Sequence, residues 1–224
     1  MGVAAVGFAI DWRRVGGAPS VAAALGRARA EGQHLVASTV GDAAAVAVGG
    51  ADLVAMSEAQ LLVGFDGRLD DSGDLCRLLR IDPDASPGRT IGEAYLRWGI
   101  WLPRHIRGDY AFVIWDGRLR RIVAARDPFG IRPLHYAPSG GQLWLASDVD
   151  QFLAAGFRHR KPDDEMVVEF LTRNFRTLDR SYFREIARVP PGSALWAGPL
   201  RPHTLENVGE SELRAISVEL KNSE

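Results

Sequence analysis

The chain has 224 residues, a formal net charge of −1, and 46% hydrophobic and 25% charged residues, ordinary values for a globular domain. The near-zero charge excludes a general attraction to nucleic acid or to an anionic membrane. The single cysteine, Cys76, excludes a disulfide framework and any multi-cysteine metal site. No apolar run approaches the roughly 20 residues of a membrane span, and no basic segment followed by an apolar one opens the chain, so a cytoplasmic protein is expected.

In chain order, "VAAVGFAIDW" reads as a buried strand and "PSVAAALGRARAEG" as a helix started by Pro19-Ser20 and stopped at Gly32. "AAAVAVGG" and "AQLLVGFDGRL" read as strands, the second ending in a tight Asp66-Gly67 turn. "DSGDLCRLLR" predicts a short amphipathic helix with Leu75, Leu78 and Leu79 on one side and Cys76 packed among them. "TIGEAYLRWGIWLPRHI" predicts a helix ending near Gly99, since Pro103 cannot continue it.

Three strands follow, "YAFVIWD", "RRIVAARD" and "QLWLASD", the first two joined through Asp116-Gly117. Gly140-Gly141 predicts another hairpin, "DEMVVEFLTRNF" a helix, and "IARVPPGSALWAG" two short extended pieces. The tail from Gly209 places Leu213, Ile216 and Leu220 at helical spacing. Nearly continuous apolar strands imply sheets covered on both faces. Hairpins with helices in separate blocks imply an α+β layered sandwich.

None of the five histidines, His34, His105, His135, His159 and His203, has the i, i+4 or Cys-adjacent spacing of a zinc site, so no metal is expected. "RHRKP" (Arg158–Pro162) reads as a solvated basic loop.

Four segments in order carry a family likeness: "GDYAFVIWD", "ARDPFGIRPLHY", "LASDVDQFLA" and "VPPGSAL". Together they resemble the glutaminase domain of class II glutamine amidotransferases, and Trp115-Asp116 with the Pro-Pro-Gly segment resembles the asparagine synthetase branch. "FDGRLDDSGDL" is similar to the family's "F-N-G-E-I-Y-N" stretch. The resemblance implies the N-terminal-nucleophile hydrolase fold, a four-layer αββα sandwich of two antiparallel sheets, over residues 1–200. Residues 201–224 would then be a linker and docking helix, with the synthetase domain absent.

By the same resemblance, Gly108, Asp109, Arg126, Asp127 and Arg132 form a structural motif. Arg126-Asp127 and Arg132 would make an internal charge network, with Pro128 and Pro133 fixing the backbone. Breaking such a buried network costs about 3–5 kcal/mol. His135 stands where the family often has tyrosine, which implies a packing role.

The family's nucleophile is a cysteine exposed as the first residue, with its own α-amino group as base. The matching position here is Ala4 or Gly2, and neither carries a thiol or hydroxyl. The family's oxyanion hole is an Asn-Gly pair; here the positions hold Asp66 and Gly67. An ionised carboxylate donates no hydrogen bond, and losing one donor costs about 2.7–4 kcal/mol of transition-state stabilisation. Of the clamp for the glutamine, the arginine is missing between Ala43 and Leu53, and the aspartate position falls on Pro87, with Asp84 nearby.

The resemblance therefore implies a glutaminase-like domain without glutaminase activity and without a catalytic residue, as in the cysteine-less β-lactam synthetases and lasso-peptide cyclases. Asp66, Gly67 and Asp84 would line its vestigial pocket. Such a domain would serve as scaffold for an ATP-dependent amide-forming domain or subunit, and would touch that partner's peptide or amino-acid substrate. ATP and Mg belong to the partner, and self-association is compatible. "SGGQLW" is similar to the start of the synthetase pyrophosphate loop, but Leu143 and Trp144 replace its acidic and hydroxyl residues. Two other readings stay open: an amidohydrolase using Cys76 or Ser20, and a peptide-binding module re-using the pocket.

Overall fold

The structure, a computed structural model, describes residues 5–11, 35–40, 43–48, 51–139, 142–154, 157, 161–197 and 215–217. Its strands are β1 (Ala5–Asp11), β2 (Leu35–Val40), β3 (Ala43–Val48), β4 (Asp52–Met56), β5 (Leu61–Leu69), β6 (Gly108–Asp116), β7 (Arg121–Arg126), β8 (His135–Ser139), β9 (Gln142–Ala146), β10 (Ala187–Arg188), β11 (Ala194–Ala197) and β12 (Ala215–Ser217). Its helices are α1 (Ser72–Leu79), α2 (Pro87–Trp98), α3 (Val149–Ala154) and α4 (Asp164–Thr172), with a 3-10 turn over Gly99–His105. The expected helix over 19–32 and the basic residues 158–160 lie outside the described residues.

The strands form two six-stranded sheets, ordered β10-β8-β9-β1-β3-β2 and β12-β11-β7-β6-β5-β4. All pairings are antiparallel except β11 with β12. Side-chain alternation sorts the apolar runs into two cores. Leu62, Ala111, Val113, Trp115, Ile122 and Ala124 meet Leu143 and Leu145 between the sheets. Their neighbours Leu61, Val63, Phe65, Phe112, Ile114 and Val123 pack with Ile91, Ala94 and Tyr95 of α2. On the far side, Ala137 and Ala146 pack with Phe152 of α3. The result is the expected four-layer α+β sandwich, and the continuous apolar strands are those with both faces covered.

Local signals set the helices. Ser86 caps α2 by accepting from Arg89 N, Pro87 occupies its first turn, and Gly99 at φ +58° ends it. Asp163 caps α4. In α1, Leu75 and Cys76 are buried while Leu78 is 52% exposed, so the leucines do not share one buried side. The Asp116-Gly117 hairpin holds because the buried Asp116 carboxylate accepts from the backbone N–H groups of Arg118 and Leu119 and from Tyr95 OH.

Two expectations are corrected. Asp66-Gly67 is not a turn: β5 runs through it, pairing Asp66 with Ala111 and Gly67 with Tyr110. Gly67 has φ +135°, and a Cβ there would lie 2.0 Å from the Asp109 carbonyl oxygen, so the Asp-Gly pair permits a close strand approach, not a chain reversal. In the tail, Ala215–Ser217 form a strand beside β11 with Ile216 opposite Leu195; Ile216 therefore joins a sheet edge and not a helix. β2, β4 and α3, which the sequence reading passed over, are short elements whose patterns are weak alone.

Candidate functional site

The site lies where the sheets stop being apolar. On β5 the inter-sheet alternation Leu62, Gly64 ends at Asp66, and on β7 the alternation Ile122, Ala124 ends at Arg126. Beyond Arg126 the chain turns through Asp127–Leu134 into β8. The Asp127 carboxylate accepts from the backbone N–H groups of Phe129, Ile131 and Arg132 at 3.0–3.1 Å. Arg126 donates from Nε to the Arg132 carbonyl, from Nη1 to that of Val189 and from Nη2 to that of Gly130.

The anticipated side-chain charge network is thus replaced by two backbone clamps of opposite sign. A buried carboxylate gathers N–H groups and a buried guanidinium gathers carbonyls, each satisfying groups that water cannot reach. Burial, with help from nearby Arg188, lowers the Arg126 pKa, and Asp127 counters this. Gly130 takes φ +67°, and a Cβ there would sit 2.9 Å from Arg126 Nη2. Gly108, also expected in this motif, opens β6 at φ +144° against the Arg68 carbonyl, and Asp109 pairs with Arg68 at 3.3 Å.

The folded loop delivers the Arg132 guanidinium to Asp66, with Nη1 3.4 Å from Oδ1. Asp66 is 2% exposed. Burial raises its pKa, the Ser147 hydroxyl bond and Arg132 lower it, and Asp148 raises it again. These groups line a cavity of about 440 Å³ that also includes His135, Ser181, Tyr182, Phe183 and Arg188. β1 reaches this end too: its register sets Gly7 opposite Ala146, the residue before Ser147. The nucleophile positions Ala4 and Gly2 lie outside the described residues.

Of the expected pocket residues, Asp66 lines the cavity and Gly67 follows it on β5. Asp84 does not line it: it is exposed in the loop before α2, where its N–H meets the Asp82 carboxylate. Cys76 is fully buried on α1 with its Sγ 3.6 Å from Thr90 Oγ1 and does not line the cavity either, which removes it as a nucleophile. Ser20 lies outside the described residues.

His135 departs from a plain packing role. It is 8% exposed, stands directly opposite Arg188 across β8 and β10, and has no partner for Nδ1. Burial, then Arg188 and Arg126, push its pKa down to about 4, against its bond to the Ala146 backbone. The cavity contains hydroxyls, an imidazole and carboxylates, but Ser147 bonds Asp66 and Ser181 donates to the Phe183 carbonyl, while His135 Nδ1 receives nothing. The hydroxyl-to-imidazole bond that activates a nucleophile is not made.

Sequence reading missed Ser147, Asp148 and Arg188. The available signal was Arg188 itself, a lone charge between Ala187 and Val189 in an apolar extended piece. Among the described residues no group of His, Cys, Asp and Glu is placed to hold a metal ion, and no helix is long and apolar enough to cross a membrane.

Comparison with known proteins matches this geometry to a family. The family model "Glutamine amidotransferase domain" matches residues 84–202, more than half of the chain. The chain is 35% identical over 106 residues to the amidase chyE of Penicillium rubens, covering 47% of this chain and 15% of that protein. It is 26% identical over 136 residues to asparagine synthetase [glutamine-hydrolyzing] 3 of Bacillus subtilis, covering 58% of this chain and 22% of that one. The chain therefore spans less than a quarter of the length of these curated relatives. The glutamine phosphoribosylpyrophosphate amidotransferase of B. subtilis shares the fold, with TM-score 0.54 and 16% identity over 87% of this chain and 47% of that one. With two facing sheets, the Arg-Asp-Pro loop between them and a family match over most of that region, the chain belongs to the class II glutamine amidotransferase domains.

Proposed function

We propose that this domain does not hydrolyse glutamine, and that it acts as a scaffold for an ATP-dependent amide-forming domain or subunit. The observation that carries the reading is Asp66. Where the family pattern has an amide donor, a buried carboxylate is held by Arg132 and Ser147. An oxyanion forming beside it would meet a negative charge or, at best, one proton already shared. The sequence adds that neither Ala4 nor Gly2 offers an attacking atom.

The scaffold role is supported by an apolar surface on and after α4. Phe170, Leu171, Phe175 and Leu178 are 56%, 73%, 62% and 53% exposed, and Phe170 packs edge-on against both Phe175 and Tyr182. An aromatic cluster of this kind left in water fits a protein partner. ATP and Mg are assigned to that partner and not to this chain.

The test is ammonia release from glutamine by the purified chain, followed by intact-mass analysis after exposure to an electrophilic glutamine analogue. No ammonia above a protein-free blank and no mass increase are expected. Either signal overturns the reading.

A further inference from the structure

Arg188 is the one arginine lining the cavity whose guanidinium has no acceptor among the described residues. Arg132 is taken by Asp66, and nearby Arg126 by three backbone carbonyls. Arg188 is held in place by its own backbone, which donates to the Asp179 carbonyl at 2.8 Å, and by its pairing opposite His135. Cross-strand partners point to the same face, so guanidinium and imidazole stand side by side at the cavity wall. His135 carries a second open valence. Its ring N–H serves the Ala146 backbone, leaving Nδ1 as a lone-pair acceptor, buried and without a partner. A buried acceptor of this kind calls for a donor.

The rest of the wall narrows the ligand. Asp66 and Asp148 face the same space, so one unengaged guanidinium balances a single negative charge, and a phosphate dianion would be repelled. Pro133, Val149, Tyr182 and Phe183 supply apolar lining. A volume of about 440 Å³ suits a small molecule or one terminal residue of a chain.

We infer that the cavity binds an apolar carboxylate bearing an N–H donor, either a free hydrophobic amino acid or the C-terminal residue of a peptide. The carboxylate sits on Arg188, the N–H on His135 Nδ1, and the side chain against Tyr182 and Phe183. This rests on the reading that the pocket no longer performs hydrolysis, and it differs from a glutamine clamp in its residues and in its preference for an apolar side chain.

The test is titration calorimetry or ligand-observed NMR on the full chain with four probes: leucine, N-acetyl-leucine, N-acetyl-leucinamide and glutamine. N-acetyl-leucine is expected to bind at least tenfold more tightly than N-acetyl-leucinamide. Arg188→Gln, with unchanged circular dichroism and Tm, is expected to abolish that difference. Leucine binding more tightly than N-acetyl-leucine assigns the free amino acid, and the reverse assigns the peptide end. Equal binding of the acid and the amide, or no binding by any probe, overturns this inference while leaving the silent-domain reading in place. Ammonia release from the glutamine sample overturns that reading and this inference with it.

Discussion

His135 and Arg188 stand directly opposite one another on β8 and β10, so a permanent cation adjoins an imidazole that has lost nearly all its water. The ring is neutral in the fold, with its pKa pushed down to about 4 from 6.5. The unfolded chain therefore takes up the proton first as pH falls. Stability from this group is fully present above about pH 6.5, declines between about 6.5 and 4, and is flat below. The shift is equivalent to about 3 kcal/mol across that window. Because Asp66 and Asp148 share the cavity, the measurement is a difference: urea unfolding of wild type and of His135→Phe at several pH values. The variant is expected to lack most of the wild type's loss between pH 6.5 and 4. Parallel curves would show that His135 does not carry the acid sensitivity.

Asp66→Asn tests whether the carboxylate stabilises the fold or burdens it. Burial is the largest influence on Asp66 and opposes its charge, while an amide still accepts from Ser147 and frees Arg132, 38% exposed in its side chain, to turn to water. Stability is expected to change by no more than about 1 kcal/mol. Ammonia release from glutamine is expected to stay absent, since the amide alone supplies no attacking atom. A loss above about 3 kcal/mol in denaturant unfolding would make the ion pair a structural anchor instead.

Asp127→Ala removes the acceptor for the N–H groups of Phe129, Ile131 and Arg132. A loss of about 3 kcal/mol or more is expected, lowering Tm by roughly 6–12 °C for a chain of this size. Asp109→Ala is the comparison. Its carboxylate is half-exposed and pairs with an exposed Arg68, so about 1 kcal/mol or less is expected. Equal effects in differential scanning calorimetry would contradict the clamp.

Two glycine-to-alanine changes are expected to act in opposite directions. At Gly67 the φ of +135° and the Asp109 carbonyl oxygen, 2.0 Å from where a Cβ would lie, predict a loss of about 3–5 kcal/mol. At Gly73, on α1, a Cβ meets nothing within 4 Å, and a gain of up to about 1 kcal/mol is expected. Chemical denaturation of the pair reads both signs, and a benign Gly67→Ala would argue against the close strand approach.

Cys76, fully buried against Thr90, is expected to resist a thiol reagent in the folded chain and to react completely in denaturant. Rapid stoichiometric labelling under native conditions would restore it as a candidate nucleophile.

Much was legible in the one-dimensional pattern because its causes are local. Continuous apolar runs announced strands covered on both faces, the Gly99 stop bounded the end of α2, and Asp116-Gly117 marked a hairpin, each through backbone geometry that neighbouring residues impose. The Ser86 cap and Pro87 that begin α2 ahead of Thr90 were passed over. The ordered motifs were enough to indicate the family, and the missing thiol was plain from Gly2 and Ala4. What only the tertiary structure decided was who meets whom. Asp66-Gly67 has the composition of a turn, yet pairing with β6 holds it extended. Arg126 and Asp127 have the charges of an ion pair, yet each serves backbone groups brought close by the fold. His135 and Arg188, more than fifty positions apart in the sequence, become neighbours only when β10 pairs with β8. Charge and burial at such a site depend on distances between strands that no local pattern encodes.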